Sequence, residues 1–572
     1  MSATIAAPAQ NLDANAQFRS LADQYFEQAT FAYNPTFGTL AGLHQYDSKL
    51  EDYSRAAVDA QITTLHEFEK KIDDMPAFQM DSSTQADREM VLDDIRSRLL
   101  TLQVIKPWEK NPDNYSSGIT NSAFVLMERK FAPPDERLRS LIAREKQMPA
   151  VFAAARQNLK NPPRIYTEIA LEQLPGIVSF FETDVPDAFK DATDPATKAE
   201  FQKTNAGVIT ALESYETWLK QSLLPQSNGD FKLGADTFSK KLEYDEMVDT
   251  PLPKLLEIAY ADMHKNQAEF ARVAKEVDPS KTPQEVLAEL ATIHPAPDHL
   301  LQSFRDTFNG LISFINTNHI ITIPSDVRPT LEETPPFMRA TTQASMDTPG
   351  PFETHSTTAY FNVTLPEKNW AAEHIAEHMA AFNVGTVIST SVHEAYPGHY
   401  VQFLWVNSAP LSKVRKLVTS NTNVEGWAHY CEQMMLDTGY GQPGTGAKDA
   451  REAHLIRLGQ LQDALLRDAR FIVGIKMHTG EMTFDQAIDF FVKEGYQSRS
   501  VGTVETKRGT SDPTYLYYTL GKLQIMKLRS DLEKQQGSDF SLQRFHDNFM
   551  RQGGAPIKIV RQALLGDNSP TL

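Results

Sequence analysis

Apolar side chains recur along most of this chain every three or four residues, the rhythm that lines one face of an α-helix. It predicts helices over 16–32, 54–75, 84–104, 135–160, 195–223, 253–277, 283–293 and 296–316. A second series follows over 370–396, 411–440, 447–479, 483–494, 515–536 and 556–565. In 84–104 the stripe runs through Met90, Ile95 and Leu99, with Ser82 and Ser83 as candidate caps. The segment 318–369 breaks the habit. It carries IPSDVRPTLEETPPF and DTPGPF, whose prolines rule out a continuous helix. Within it TTAYFNVTL, 357–365, is rich in β-branched and aromatic residues and reads as a strand. Tyr360 and Asn362 share one face of that strand, which serves either as a core strand or as an edge for an extended peptide. The pattern divides the chain into an N-terminal helical region, 1–320, and a C-terminal region, 321–572, which can pack as one body.

Composition narrows the class. The 572 residues suffice for two to four domains, or for one large helical body with a deep cleft. With 41% apolar and 23% charged residues the chain reads as a soluble globular protein. A formal charge of −18 argues against nucleic acid as a partner, because neutralising phosphates takes a basic surface. No stretch reaches the roughly 20 apolar residues of a membrane span. The start, MSATIAAPAQNLDANAQ, lacks a basic segment and a long apolar core, so it is not an intact signal peptide. Both a cytoplasmic protein and an exported one with its signal removed fit these features. Cys431 is the only cysteine, which excludes an internal disulfide and zinc–thiolate clusters. Nothing in the sequence sets an oligomeric state.

The chemistry concentrates in HEAYPGHYVQ, 393–402. In the common His-Glu-x-x-His motif two histidines four apart share a helix face and reach one ion. Here His399 follows His393 by six residues, about 600° around a regular helix, so the two rings would diverge. Pro397 ends that regularity and Gly398 admits unusual backbone, so a helix that ends or bulges there swings His399 back. Without such a break, the motif is a helix end carrying two incidental histidines. Glu394 occupies the place of the base that deprotonates water in zinc hydrolases. Gln402, one turn past His399, is placed to hold that turn or a ligand. Downstream, VEGWAHYCEQM (424–434) sets Glu425, His429 and Glu432 on one helix face. His393, His399 and Glu425 form a two-histidine, one-carboxylate set with a position left for water. Glu432 suits orientation of a histidine from behind. His429 is a rival ligand.

A competing pair stands upstream. AEHIAEHMA places His374 and His378 at true four-residue spacing, but no third ligand is near, and it reads as a polar helix face. In the last hundred residues His478, Arg508, Tyr515, Tyr517 and Tyr518 are candidates to hold an oxyanion or a substrate carboxylate.

These stretches carry a family resemblance. HEAYPGHYVQ, EGWAHYCE, RFIVGIKMHTGEMT and DPTYLYYTLGK, with a looser match at LADQYFEQATFAYNPTFGTLAGLHQYD, resemble the bacterial domain-of-unknown-function 885 family. Its pattern is His-Glu-Gly-Tyr-Pro-Gly-His-x-x-Gln followed by Glu-Gly-Trp-Ala-x-Tyr. Ala395 and Tyr400 depart from it where glycine and histidine are usual, and neither is a proposed ligand. The family is similar to gluzincin peptidases, and dipeptidyl peptidase III-like enzymes offer a parallel for the lengthened spacing. The resemblance implies a mainly α, gluzincin-like body with a deep cleft and a small β element beside the active site. It also implies one catalytic Zn2+ on His393, His399 and Glu425, with Glu394 as general base. The expectation is a zinc-dependent metallopeptidase acting on short peptides, with Tyr518 or His478 holding the oxyanion and Arg508 a substrate carboxylate. A zinc hydrolase of a non-peptide amide or ester, and a non-catalytic peptide-binding protein, are the alternatives.

Overall fold

The structure, a computed structural model, describes residues 13–334, 343–367 and 370–572. Most of the chain start considered above, and part of the Pro-rich stretch, lie outside the described residues.

Where the apolar rhythm is unbroken, single helices form: Arg55–Asp73, Leu252–Val277, Ala450–His478 and Tyr517–Gln536. Local chemistry cuts others short. The predicted 135–160 helix divides into Pro134–Glu145 and Met148–Asn158, the second with proline in its first turn. The predicted 370–396 helix divides into Ala372–Ala380 and Val384–Glu394. Asn383 starts the second, its side chain accepting from the backbone N–H of Gly385 and Thr386. Ser82–Leu100 is capped by Asp81, which accepts from Thr84 N at 2.8 Å, and Ser82 and Ser83 are already helical. Asp113–Glu128, His399–Ser408 and Arg499–Ser511 form helices that the rhythm does not announce. In the first, glycine and small polar residues mask the stripe, and burial of Tyr115, Ile119, Ala123 and Leu126 supplies the apolar face.

The Pro-rich segment holds a three-stranded sheet of β1 (Thr330–Glu333), β2 (Ala344–Asp347) and β3 (Tyr360–Val363). Their order is β1-β3-β2, with β3 parallel to β1 and antiparallel to β2. Both edges of β3 are therefore taken, and Phe361 and Val363 are fully buried. It is a core strand and cannot accept a peptide by strand addition. β2 packs beside the Val384–Glu394 helix.

Apolar packing ignores position 320. One core joins Phe18, Tyr25 and Ile95 to Phe361, Trp427 and Val560; another joins Phe238, Leu255 and Phe270 to Leu465, Phe471 and Leu520. A third, from Leu50 to Leu223, is wholly N-terminal. A buried ion pair, Lys522 to Asp262 at 2.7 Å, also spans the two regions.

Two glycine contacts bring the site-bearing helices together. A Cβ at Gly385 would stand 2.8 Å from the Cα of Gly459, so Val384–Glu394 and Ala450–His478 meet backbone to backbone. A Cβ at Gly426 would stand 2.6 Å from the Cα of Gly521, which presses Asn421–Asp437 onto Tyr517–Gln536. The second contact sets Glu425 and Tyr518 on facing helices.

Candidate metal centre

The helix carrying His393 ends at Glu394, and a new one begins at His399. Between them the chain doubles back through a cis Tyr396–Pro397 bond, and Gly398 N donates to Val392 O at 2.9 Å. A Cβ at Gly398 would fall 1.8 Å from His393 O. Glycine serves here by allowing that close approach, not by a positive φ, since its φ is −67°. The break turns both rings inward. His393 and His399 meet edge to face, with centroids 4.8 Å apart.

Glu425 Oε2 lies 3.4 Å from the Nε2 of each histidine. All three donor atoms fall within 4.8 Å of one another, the only such group among the described residues. Zinc bonds of about 2.0–2.1 Å in tetrahedral array put neighbouring donors about 3.3 Å apart, which the two carboxylate–imidazole distances match. Glu425 Oε2 is buried and, among the described residues, has no hydrogen-bond partner. Burial pushes its carboxyl up, but the two histidines outweigh it and hold the group well below the usual range.

Behind the triad, Glu432 accepts from His393 Nδ1 at 2.6 Å, from Arg467 Nη2 at 3.0 Å and from His429 Nδ1 at 3.2 Å. The first contact fixes the His393 tautomer with Nε2 turned toward Glu425. His429 thus turns to Glu432 and is absent from the three-donor group. Burial drives its pKa down to about 3, so it stays neutral. His374 is exposed, and His378 bonds Thr364 O through Nε2 at 2.8 Å, which leaves the upstream pair a polar helix face.

A cavity of about 210 Å³ adjoins the triad, lined among others by His393, Glu394, Arg467, Arg470 and Tyr518. Glu394 is half-buried there. Tyr518 stacks 6.5 Å from His393, ringed by Arg470, Arg467 and Arg508 at 5.0, 5.5 and 6.0 Å from its centroid. Burial raises its phenol pKa, and Glu425 adds to the shift, so it remains a proton donor. Arg508 does not line the cavity. It pairs with Asp512 at 3.1 Å and donates to Tyr517 OH at 3.2 Å. Tyr515 is fully buried. His478 stands elsewhere, between Phe231 and Phe238, with Nε2 on Gly509 O at 2.8 Å. Its Nε2 is committed to that carbonyl and the ring does not line the cavity, which removes it from the oxyanion candidates.

Sequence reasoning missed Arg467, Arg470 and Asp463, the last accepting from Ser389 Oγ at 2.8 Å. Arg470 forms two bonds of 2.7 Å to Glu505. The available signal was charge embedded in the largely apolar run DALLRDARFIVGI, since buried charges need a partner or a function.

Residues 35–564 match the family described as bacterial protein of unknown function (DUF885). The chain belongs to that family. Solved structures share the architecture of this DUF885 chain. A candidate lipoprotein of unknown function from Shewanella oneidensis is 26% identical, with TM-score 0.79 over 96% of this chain and 99% of that one. A candidate lipoprotein from Colwellia psychrerythraea is 18% identical, with TM-score 0.81 over 97% and 99%, a likeness of fold alone. No curated protein matches the chain. Among the described residues, no helix of the DUF885 chain is long and apolar enough to cross a membrane.

Proposed function

We propose that this protein is a zinc-dependent metallopeptidase that hydrolyses amide bonds of short peptides. The convergence of His393, His399 and Glu425 beside a cavity that also holds Glu394 carries the reading. When bound, zinc supplies a Lewis acid and brings the pKa of a water toward about 7. Glu394, adjacent in sequence to a proposed ligand and lining the cavity, would take a proton from the attacking water and pass it to the leaving amine. The Tyr518 hydroxyl donates to the developing oxyanion, held in place by the guanidiniums around its ring. Arg508 supports Tyr518 from behind; in the present arrangement its fork faces Asp512, so it takes a substrate carboxylate only by exchanging that partner. The small cavity favours short substrates over folded proteins.

Two measurements test the proposal together. Metal analysis of wild type, His393→Ala and Glu425→Ala is expected to find one zinc per chain only in wild type. Turnover of a panel of oligopeptides, non-peptide amides and esters is expected for wild type, with peptides preferred, and to be lost in Glu394→Gln. Hydrolysis confined to esters or non-peptide amides moves the assignment to those bonds. Zinc without any turnover ends the enzyme reading.

A further inference from the structure

The two proposed histidine ligands are held unequally. His393 Nδ1 has Glu432 behind it, whereas His399 Nδ1 is buried with no hydrogen-bond partner among the described residues. A histidine that ligates through one ring nitrogen almost always donates through the other. One turn further along the same helix, Gln402 Oε1 is likewise buried and without a partner.

We infer that Gln402 is a positioning residue for the metal centre, its Oε1 accepting the Nδ1–H of His399 and holding Nε2 toward Glu425. This rests on the metal reading above.

Residues three apart on a helix have β-carbons about 5–6 Å apart, and helical side chains lean toward the N-terminus. The Gln402 side chain therefore lies over the turn that opens with His399. Its polarity is set from outside. Asn423 Nδ2 donates to Ala555 O at 2.6 Å and Gly553 O at 3.3 Å, which leaves Asn423 Oδ1 as an acceptor. Gln402 Nε2 donates to that oxygen at 2.8 Å. Flipping the amide would set two acceptors face to face, so Oε1 is the free end. A buried donor and a buried acceptor, each without a partner among the described residues, thus share one helical turn, within side-chain reach of one another. The completed chain of bonds ties the 553–555 loop through Asn423 and Gln402 to His399.

The test measures zinc affinity of the full-length protein by competition with a chromophoric chelator, for wild type, Gln402→Met, Gln402→Leu and Gln402→Glu. Thermal unfolding of the metal-free proteins shows which variants fold, and either apolar variant suffices. The apolar variants are expected to bind zinc about 10–100-fold more weakly. Gln402→Glu keeps an acceptor for His399 while losing the bond to Asn423, and is expected to bind zinc more tightly than either apolar variant. A merely structural role orders the variants differently, because glutamate loses the donor to Asn423 and buries a charge, and so is hurt at least as much as leucine. Unchanged affinity in the apolar variants, or Gln402→Glu no better than they are, overturns the inference while the metal reading stands. Wild type that takes up no zinc ends both.

Discussion

Glu432 Oε1 lies 2.6 Å from His393 Nδ1, while its second oxygen receives His429 Nδ1 at 3.2 Å. One fully buried carboxylate therefore orients a proposed ligand and neutralises Arg467. Glu432→Gln puts an amide donor among three donors. Zinc affinity is expected to fall about 10–100-fold, read by chelator competition, with the variant still folded by circular dichroism.

Gly398→Ala places a methyl where His393 O stands 1.8 Å away. Backbone, not a flexible side chain, would have to move. Loss of more than about 3 kcal/mol in urea unfolding is expected, together with loss of metal binding. A variant that binds zinc like wild type contradicts this account of the turn.

Glu246 caps the helix that bears Glu425. Its carboxylate accepts from Thr422 N at 2.8 Å, Asn421 N at 3.2 Å, Ser420 Oγ at 2.5 Å and Thr422 Oγ1 at 2.8 Å. Glu246→Ala strands these donors and is expected to cost about 2–4 kcal/mol by denaturant titration. Weaker zinc binding follows if the cap positions Glu425.

Burial raises the Glu145 carboxyl to about 8, only partly offset by the hydroxyl of Thr204. An acid whose folded pKa is raised favours folding less as it ionises. Its penalty is absent below about pH 4.5, grows as pH rises and is complete above about 8. Glu145→Gln is therefore expected to raise the melting temperature at pH 9 relative to wild type and to change it little at pH 5. An equal effect at both values would show that Glu145 is not protonated in the native state.

Glu394→Gln keeps size and removes the base. If the proposed chemistry holds, kcat is expected to fall at least about 10²-fold with zinc content unchanged. A fall in zinc content instead would make Glu394 a ligand or a support for one.

Much of this was legible along the chain because it is local. The break at Pro397–Gly398, Glu394 next to His393, and Glu432 seven residues after Glu425 are matters of spacing, and the structure gathers these side chains. Helix ends were less legible. Asp81 and Asn383 took capping positions by hydrogen-bonding the first free N–H groups, and tertiary burial made helices of stretches with weak periodicity.

The residues around the cavity were decided differently. His478 and Arg467 sit on one helix, but eleven residues of rise carry His478 about 16 Å beyond Arg467. Only one of them reaches the cavity. Tyr515, Tyr517 and Tyr518 are equal in sequence, yet only Tyr518 lines it, because the Gly426–Gly521 contact fixes how that helix faces Glu425. By itself the sequence determined the mainly helical class and the local turn that folds two imidazoles together. Which distant side chains join them was decided by helix packing, since a side chain's direction depends on the rotation and crossing of whole helices, and these are set by contacts far apart along the chain.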